Sequence, residues 1–200
     1  MATTSQNELV RPTSRFEIND GLAEWDVPAK EWLTTNEPKL RSQNLNLDEL
    51  TTGVLVFNDQ GEVLMIQRAS HDSFPDKFEI PGGGVDKDDA TIIDAAVREL
   101  LEETGLVAKR VKCRVTDGSD GNKLHVFQNS RKTSWFCRVC FEMEVETYTD
   151  IRLDPNEHQD FVWATEAEVR DQRIGDRDVP ITSVDMQSII LEAFRLRNGA

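Results

Sequence analysis

The clearest pattern of apolar and polar positions begins near residue 51. Gly53-Val54-Leu55-Val56-Phe57 is a continuous apolar run of the kind found in a buried strand, and Glu62-Val63-Leu64-Met65-Ile66-Gln67-Arg68 is a second. The residues between them, Asn58-Asp59-Gln60-Gly61, are turn formers. Lys77-Phe78-Glu79-Ile80 predicts a short strand leading into Pro81-Gly82-Gly83-Gly84. A helix over about 90–104 follows, with Asp88 or Asp89 as its N-cap and Gly105 placed where a helix end favours a left-handed residue. Further strands are predicted at about 106–114, 123–129, 134–147 and 160–164, with helices near 165–171 and 184–196.

This mixture of strands and helices predicts a layered α/β or α+β domain over residues 51–200. Residues 1–50 are polar and weakly periodic, and read as an N-terminal extension partly ordered against the domain. Short helical pieces at Gly21–Trp25 and Glu31–Leu33 would pack Trp25 and Trp32 on the main body, since disordered tails rarely carry two tryptophans. Trp135 and Trp163 are expected in the core.

Two hundred residues, 38% hydrophobic and 30% charged, suit one globular domain with a sizeable core. No apolar run approaches the roughly 18–20 residues that span a bilayer, and the first eight residues lack the pattern of a secretory signal. The expected compartment is the cytosol. A net charge of −14 argues against nucleic acid or an anionic membrane as partner. It is compatible with a phosphate substrate where divalent cations invert the local field. Cys137 and Cys140 have C-x-x-C spacing but fall on a predicted strand, where residues three apart face opposite ways, so a zinc site is not expected.

The segment that carries chemistry is Arg98-Glu99-Leu100-Leu101-Glu102-Glu103-Thr104-Gly105-Leu106. On a helix, Glu99, Glu102 and Glu103 fall within an arc of about 100°, opposite the apolar side that carries Ile93, Val97 and Leu100. Three carboxylates on one face repel each other. A helix needing only solubility would intersperse lysines, whereas clustered hard oxygen ligands suit Mg²⁺ or Mn²⁺. Arg98 lies beside Glu102, and the glycines at 82–84 let backbone approach a ligand, with a carbonyl such as that of Gly83 available to a metal.

From Gly83 or Gly84 to Leu106 the chain resembles the box of the Nudix hydrolases, G-x5-E-x7-R-E-U-x-E-E-x-G-U with U aliphatic. Every specified position from Arg98 onward fits. Ala90 stands where the pattern has Glu, with Asp88 or Asp89 placed to substitute. The resemblance covers about residues 50–170 and implies a Nudix-type α/β/α sandwich with a mixed sheet. It implies water attack on phosphorus in a diphosphate linkage, dependent on Mg²⁺ or Mn²⁺. By the same resemblance, Glu102 and Glu103 are metal ligands, Glu99 is a base, a metal ligand, or both, and Arg98 holds Glu99. Glu157, six before Trp163, is a further candidate ligand or base.

Arg68 and Phe78 are the candidate substrate contacts; His71, His125 and His158 are expected to be surface or loop residues. The expected partner is a small-molecule diphosphate, and the resemblance also allows a homodimer. Two rival readings are a diphosphatase for a non-nucleotide such as an isoprenoid diphosphate, and a binding module with weakened catalysis, for which Ala90 is the support. The subgroup markers for ADP-ribose, dinucleoside polyphosphates and coenzyme A are missing from their usual places.

Overall fold

The computed structural model describes residues 16–118, 124–128 and 133–199. In chain order its elements are β1 (Glu17–Ile18), α1 (Ala29–Ser42), β2 (Glu49–Val56), β3 (Val63–Arg68), β4 (Phe78–Glu79), α2 (Ile92–Thr104), β5 (Ala108–Val115), β6 (His125–Gln128), β7 (Trp135–Val145), β8 (His158–Ala164), α3 (Glu166–Asp171), β9 (Arg173–Ile174), β10 (Arg177–Asp178) and α4 (Val184–Arg197).

Strand alternation decides the layers. In β2, Val54 and Val56 enter one buried cluster while Leu55, followed by Phe57, enters another. In β7, Cys137, Val139, Phe141 and Met143 join the first cluster and Cys140 joins the second. The sheet is therefore buried on both faces, which is why its strands read as continuous apolar runs. Ile92, Ile93, Ala96 and Leu100 of α2 close the first face, and Met186, Ile189, Ile190 and Ala193 of α4 close the second. The result is the α/β/α sandwich expected from the sequence. Cys137 and Cys140 lie on opposite faces of the sheet and cannot converge on one ion.

The main sheet is mixed, in the order β1-β5-β7-β2, with β6 extending from β7. β2 runs parallel to β7, and β5 and β6 run antiparallel to it. A smaller antiparallel sheet, β4-β3-β8, carries the far wall of the site. The two are joined through the glycine segment: Thr52 N–H donates to the Gly83 carbonyl at 2.7 Å, and Val54 N–H donates to the Pro81 carbonyl at 2.7 Å.

The described residues ahead of β2 contribute to the first cluster. Leu22, Trp25, Trp32 and Leu40 are all buried in it. Trp25 stacks on Trp32 with ring centres 5.1 Å apart and meets Phe141 of β7 edge-on at 6.5 Å. Where two short helical pieces were expected, Gly21–Trp25 is a series of turns and the helix is one long α1. Trp135, expected in the core, is 43% exposed. The predicted strand at 123–129 is β6; residues 123 and 129 lie outside the described residues.

Candidate active site

Helix α2 positions the first half of the site. Its N-cap is Thr91, not Asp88 or Asp89: the Thr91 hydroxyl accepts the Asp94 N–H at 3.0 Å. Gly105 ends the helix at φ 71° with its N–H on the Leu101 carbonyl, as its position in the sequence predicts. Asp89 is drawn away from the cap by Arg98, which holds both its oxygens at 2.9 Å. The same guanidinium donates to Glu99 at 2.8 Å, to Glu102 at 2.9 Å and to the Gly84 carbonyl at 2.9 Å. Arg98 thus clamps the acidic face of α2 to the glycine segment. Ala90, next to Asp89, is itself exposed.

The three glutamates share a face but not a depth. The Glu102 side chain is 58% exposed, that of Glu99 13%, and Glu103 is buried. Gly82 N–H donates to Glu103 at 2.6 Å. A Cβ at Gly83 would come within 2.6 Å of the Glu99 carboxyl, so the absence of a side chain there lets Glu99 lie against the backbone. Burial pushes the Glu103 carboxyl up to about 9, with the nearby charges of Glu99, Glu79 and Glu157 adding to it and the Gly82 N–H opposing. Burial also raises Glu99, helped by Glu102 and Glu157 and opposed by Arg98.

β3, β4 and β8 supply the opposite wall. Arg68 forms ion pairs with Glu79 and Asp72, and its Nε donates to the Ser73 carbonyl. Glu79 is pushed up by burial, but the neighbouring His158 ring and the Arg68 guanidinium outweigh that and hold it below the usual carboxylate range. His158 is 1% exposed, with Nδ1 3.8 Å from Glu103 Oε1 and Nε2 3.9 Å from Glu79 Oε1. Glu103, Glu157 and His158 each offer a ligand atom, all within 4.8 Å of one another. A buried carboxyl whose proton affinity is raised chiefly by burial, set beside the exposed carboxyl of Glu157, fits a divalent cation by its hard oxygen donors.

A sequence model of the NUDIX domain matches residues 48–183. The chain belongs to the Nudix family. Among relatives, it is 42% identical over 60 residues to an RNA pyrophosphohydrolase of Psychrobacter sp. strain PRwf-1, covering 30% of this chain and 32% of the relative. It is 36% identical over 103 residues to an m7GpppN-mRNA hydrolase of Danio rerio, covering 46% of this chain and 34% of the relative. The chain thus spans about a third of the length of these curated relatives. Among solved structures, the MutT protein of Methanosarcina mazei superposes with a TM-score of 0.55 at 19% identity, over 76% of this chain and 96% of that one. The NUDIX domain of Shewanella oneidensis NrtR, solved with ADP ribose, superposes with a TM-score of 0.55 at 23% identity, over 81% and 98%. At these identities the superpositions speak for the Nudix fold.

Within that fold, Arg98, Glu99, Glu102, Glu103 and Glu157 converge. Two other sequence expectations do not hold. Phe78 is fully buried, with Arg177 over its ring at 5.2 Å, and so lies in the core rather than on the cleft wall. All three guanidinium nitrogens of Arg68 are engaged by Glu79, Asp72 and Ser73, so it positions Glu79 instead of offering a ready phosphate contact. The Gly83 carbonyl accepts the Thr52 N–H of β2 at 2.7 Å and keeps a second lone pair.

Sequence reasoning also missed two residues. His158 was expected on a loop, but β8 starts two residues earlier than predicted and carries it inward. Glu79 carried its own signal, a lone acid in an apolar strand next to the glycines. His71 is exposed, bonded to the Asn156 carbonyl at 3.0 Å. Trp163 is half-buried against Tyr148. No helix among the described residues is long and apolar enough to cross a membrane.

Proposed function

We propose that the protein is a metal-dependent pyrophosphohydrolase that cleaves a diphosphate linkage in a nucleoside diphosphate derivative or nucleotide by water attack on phosphorus. The observation that carries this reading is the convergence of Glu99, Glu102 and Glu103 of α2 with Glu157 across a glycine-walled cleft, clamped by one arginine. Glu99, Glu102, Glu103 and Glu157 would hold Mg²⁺ or Mn²⁺. The ion, when bound, neutralises charge on the phosphate oxygens and acidifies water.

The protein's own groups do the rest. Glu99 is half-buried with its proton affinity raised, which suits a base accepting the proton of the attacking water. Arg98 fixes that carboxylate through Oε1 at 2.8 Å, leaving Oε2 for the water. Gly83 keeps a side chain out of the space beside the Glu99 carboxyl, while Gly82, without one, lies close against the Thr52–Gly53 backbone of β2. Asp89 anchors Arg98, so the clamp survives without a glutamate at position 90.

A nucleotide-type substrate is supported by the face of β6 and β7 next to the cleft. His125 pairs with Arg138 and Phe127 with Phe136, and strand geometry points all four side chains the same way. Phe127 stacks on Phe136 at 5.7 Å, and Arg138 lies over Phe127 at 5.0 Å. Thr51 pairs with Arg138 on one side and with Gly84 on the other, so Arg138 is two strand spacings, roughly 10 Å, from the glycines. An aromatic platform with a cation at that remove suits a base stacked beyond its own phosphates. The RNA pyrophosphohydrolase and m7GpppN-mRNA hydrolase among the relatives, by their names, point to nucleotide chemistry as well. The net charge of −14 favours a small substrate over a polyanion.

The test is release of phosphate, pyrophosphate and monophosphate from a panel in Mg²⁺ or Mn²⁺. The panel spans nucleoside triphosphates, nucleotide sugars, dinucleoside polyphosphates, capped RNA and prenyl diphosphates. Turnover of a nucleotide substrate that falls at least about a hundredfold in Glu99→Gln and Glu102→Gln is expected for an acid–base group and a metal ligand. Near-normal turnover in both folded variants at saturating Mg²⁺ would remove α2 from the chemistry, and turnover of prenyl diphosphates alone would overturn the substrate class.

A further inference from the structure

The imidazole of His158 is 1% exposed, and neither of its ring nitrogens has a hydrogen-bond partner. A neutral imidazole carries one N–H and one lone pair, and buried polar atoms are normally paired. The ring is not oriented at random among apolar neighbours. Nδ1 faces Glu103 Oε1 at 3.8 Å and Nε2 faces Glu79 Oε1 at 3.9 Å. Both separations are too long for a hydrogen bond. On the Glu103 side, the ligand atoms of Glu103, Glu157 and His158 lie within 4.8 Å of one another. Ligands sharing one small divalent ion stand roughly 3 to 4.3 Å apart, from metal–ligand distances of about 2.1 Å, so a small contraction brings the three onto a single ion.

We propose that His158 is a nitrogen ligand, through Nδ1, of a divalent cation that it shares with Glu103 and Glu157, and that this donor biases the site towards Mn²⁺ and other first-row transition ions over Mg²⁺. The inference rests on the reading of the carboxylate cluster as a metal site. It goes beyond an all-oxygen donor set, which does not separate the two metals so sharply. Mg²⁺ is a hard ion that takes oxygen ligands and keeps its waters. Imidazole nitrogen suits transition ions and is a poor exchange for water on Mg²⁺. Glu79 then has a defined place. With the Nδ1 lone pair on the ion, the proton sits on Nε2, facing a carboxylate that Arg68 fixes from behind. A carboxylate in that position orients a ligating histidine and raises its basicity.

The experiment is pulsed electron paramagnetic resonance on the full chain loaded with one equivalent of Mn²⁺, with Mn²⁺ and Mg²⁺ affinities measured by titration calorimetry. Wild-type protein should show modulation from a coordinated histidine nitrogen, which changes frequency when the protein carries ¹⁵N-histidine and disappears in His158→Gln. That substitution should weaken Mn²⁺ binding roughly tenfold or more and Mg²⁺ binding by less than about threefold, since a water replaces the ring on the harder ion. Stoichiometric Mn²⁺ binding without nitrogen coupling in the wild type overturns the proposal, whatever the folding of the variant. Coupling that persists in His158→Gln overturns it too, by assigning the nitrogen to another residue. Failure of the folded wild type to bind either ion at millimolar concentration would instead overturn the metal reading of the whole cluster, so the two failures are distinguishable.

Discussion

Glu103 gives the site a measurable cost. The residue is 5% exposed, and its burial, with Glu99, Glu79 and Glu157 for charged neighbours, places its pKa at about 9 against 4.5 for the free side chain, even though the Gly82 N–H donates to it at 2.6 Å. Between those two values the folded metal-free protein binds more protons than the unfolded chain. Stability from this group is therefore greatest below pH 4.5, falls through the window, and levels off above pH 9. At pH 7 the penalty is the 2.5 units between 4.5 and 7, or about 3 kcal/mol at 1.36 kcal/mol per unit.

Glu103→Gln removes the titration but keeps an oxygen for the Gly82 N–H. In excess chelator the variant should be the more stable protein. The gain should be about 1 kcal/mol at pH 5.5, about 3 at pH 7 and about 5 at pH 8.5. For a chain of this size a gain of about 3 kcal/mol raises Tm by roughly 6–12 °C. Urea titrations of both proteins at the three pH values measure the difference directly. Saturating Mn²⁺ should reverse the ranking, because wild type gains binding free energy that the variant lacks. A variant no more stable than wild type in chelator at pH 8.5, or a difference that stays flat with pH, would refute the argument.

Gly83→Ala should leave a folded protein with kcat/KM lowered by about a hundredfold, because the new methyl displaces Glu99 and misplacing a reacting group by about 1 Å has that effect; circular dichroism and steady-state kinetics separate the two. Asp89→Ala should cost activity by releasing Arg98, whereas Ala90→Glu, on an exposed position, should change stability by no more than about 0.5 kcal/mol and leave turnover close to wild type. A clear gain in turnover from Ala90→Glu would show that Asp89 does not replace the missing glutamate. Trp32→Ala should destabilise the fold by about 3–5 kcal/mol through the lost stack on Trp25, with kcat retained at temperatures where the variant stays folded.

What the sequence made legible follows the range of the forces involved. Strands β2 and β3 and the register of α2 are readable because a strand buried on both faces or an amphipathic helix writes its environment into adjacent residues. Helix α1 was harder. Ala29–Ser42 contains Pro38, and of its residues Trp32 and Leu40 alone are buried, so it is held by the stack on Trp25 rather than by its own periodicity. The cap of α2 differs from the sequence expectation for a related reason. Asp89 is a good cap locally, but Arg98, nine residues further along the chain, offers it a bidentate pair, and Thr91 takes over the cap.

The same division runs through the site. Angular position on a helix comes from the period of 3.6, which is why Glu99, Glu102 and Glu103 could be placed on one face. Depth does not: the glycine segment and β8 bury Glu103 while leaving Glu102 largely exposed. Depth is what separates their chemistry, since burial raises the proton affinity of Glu103 and Glu99. His158 and Glu79 were passed over because their meaning depends on strand pairing that sets Arg68 opposite His158 and Ile66 opposite Glu79. Arg98 and Arg68 each engage more than one acid, so cation charge in the site falls short of the carboxylate charge around it. A fold that keeps such an imbalance at the site, and buries the Glu103 carboxyl beside it, gains stability when a divalent cation binds, and this couples the site's chemistry to the stability of the domain.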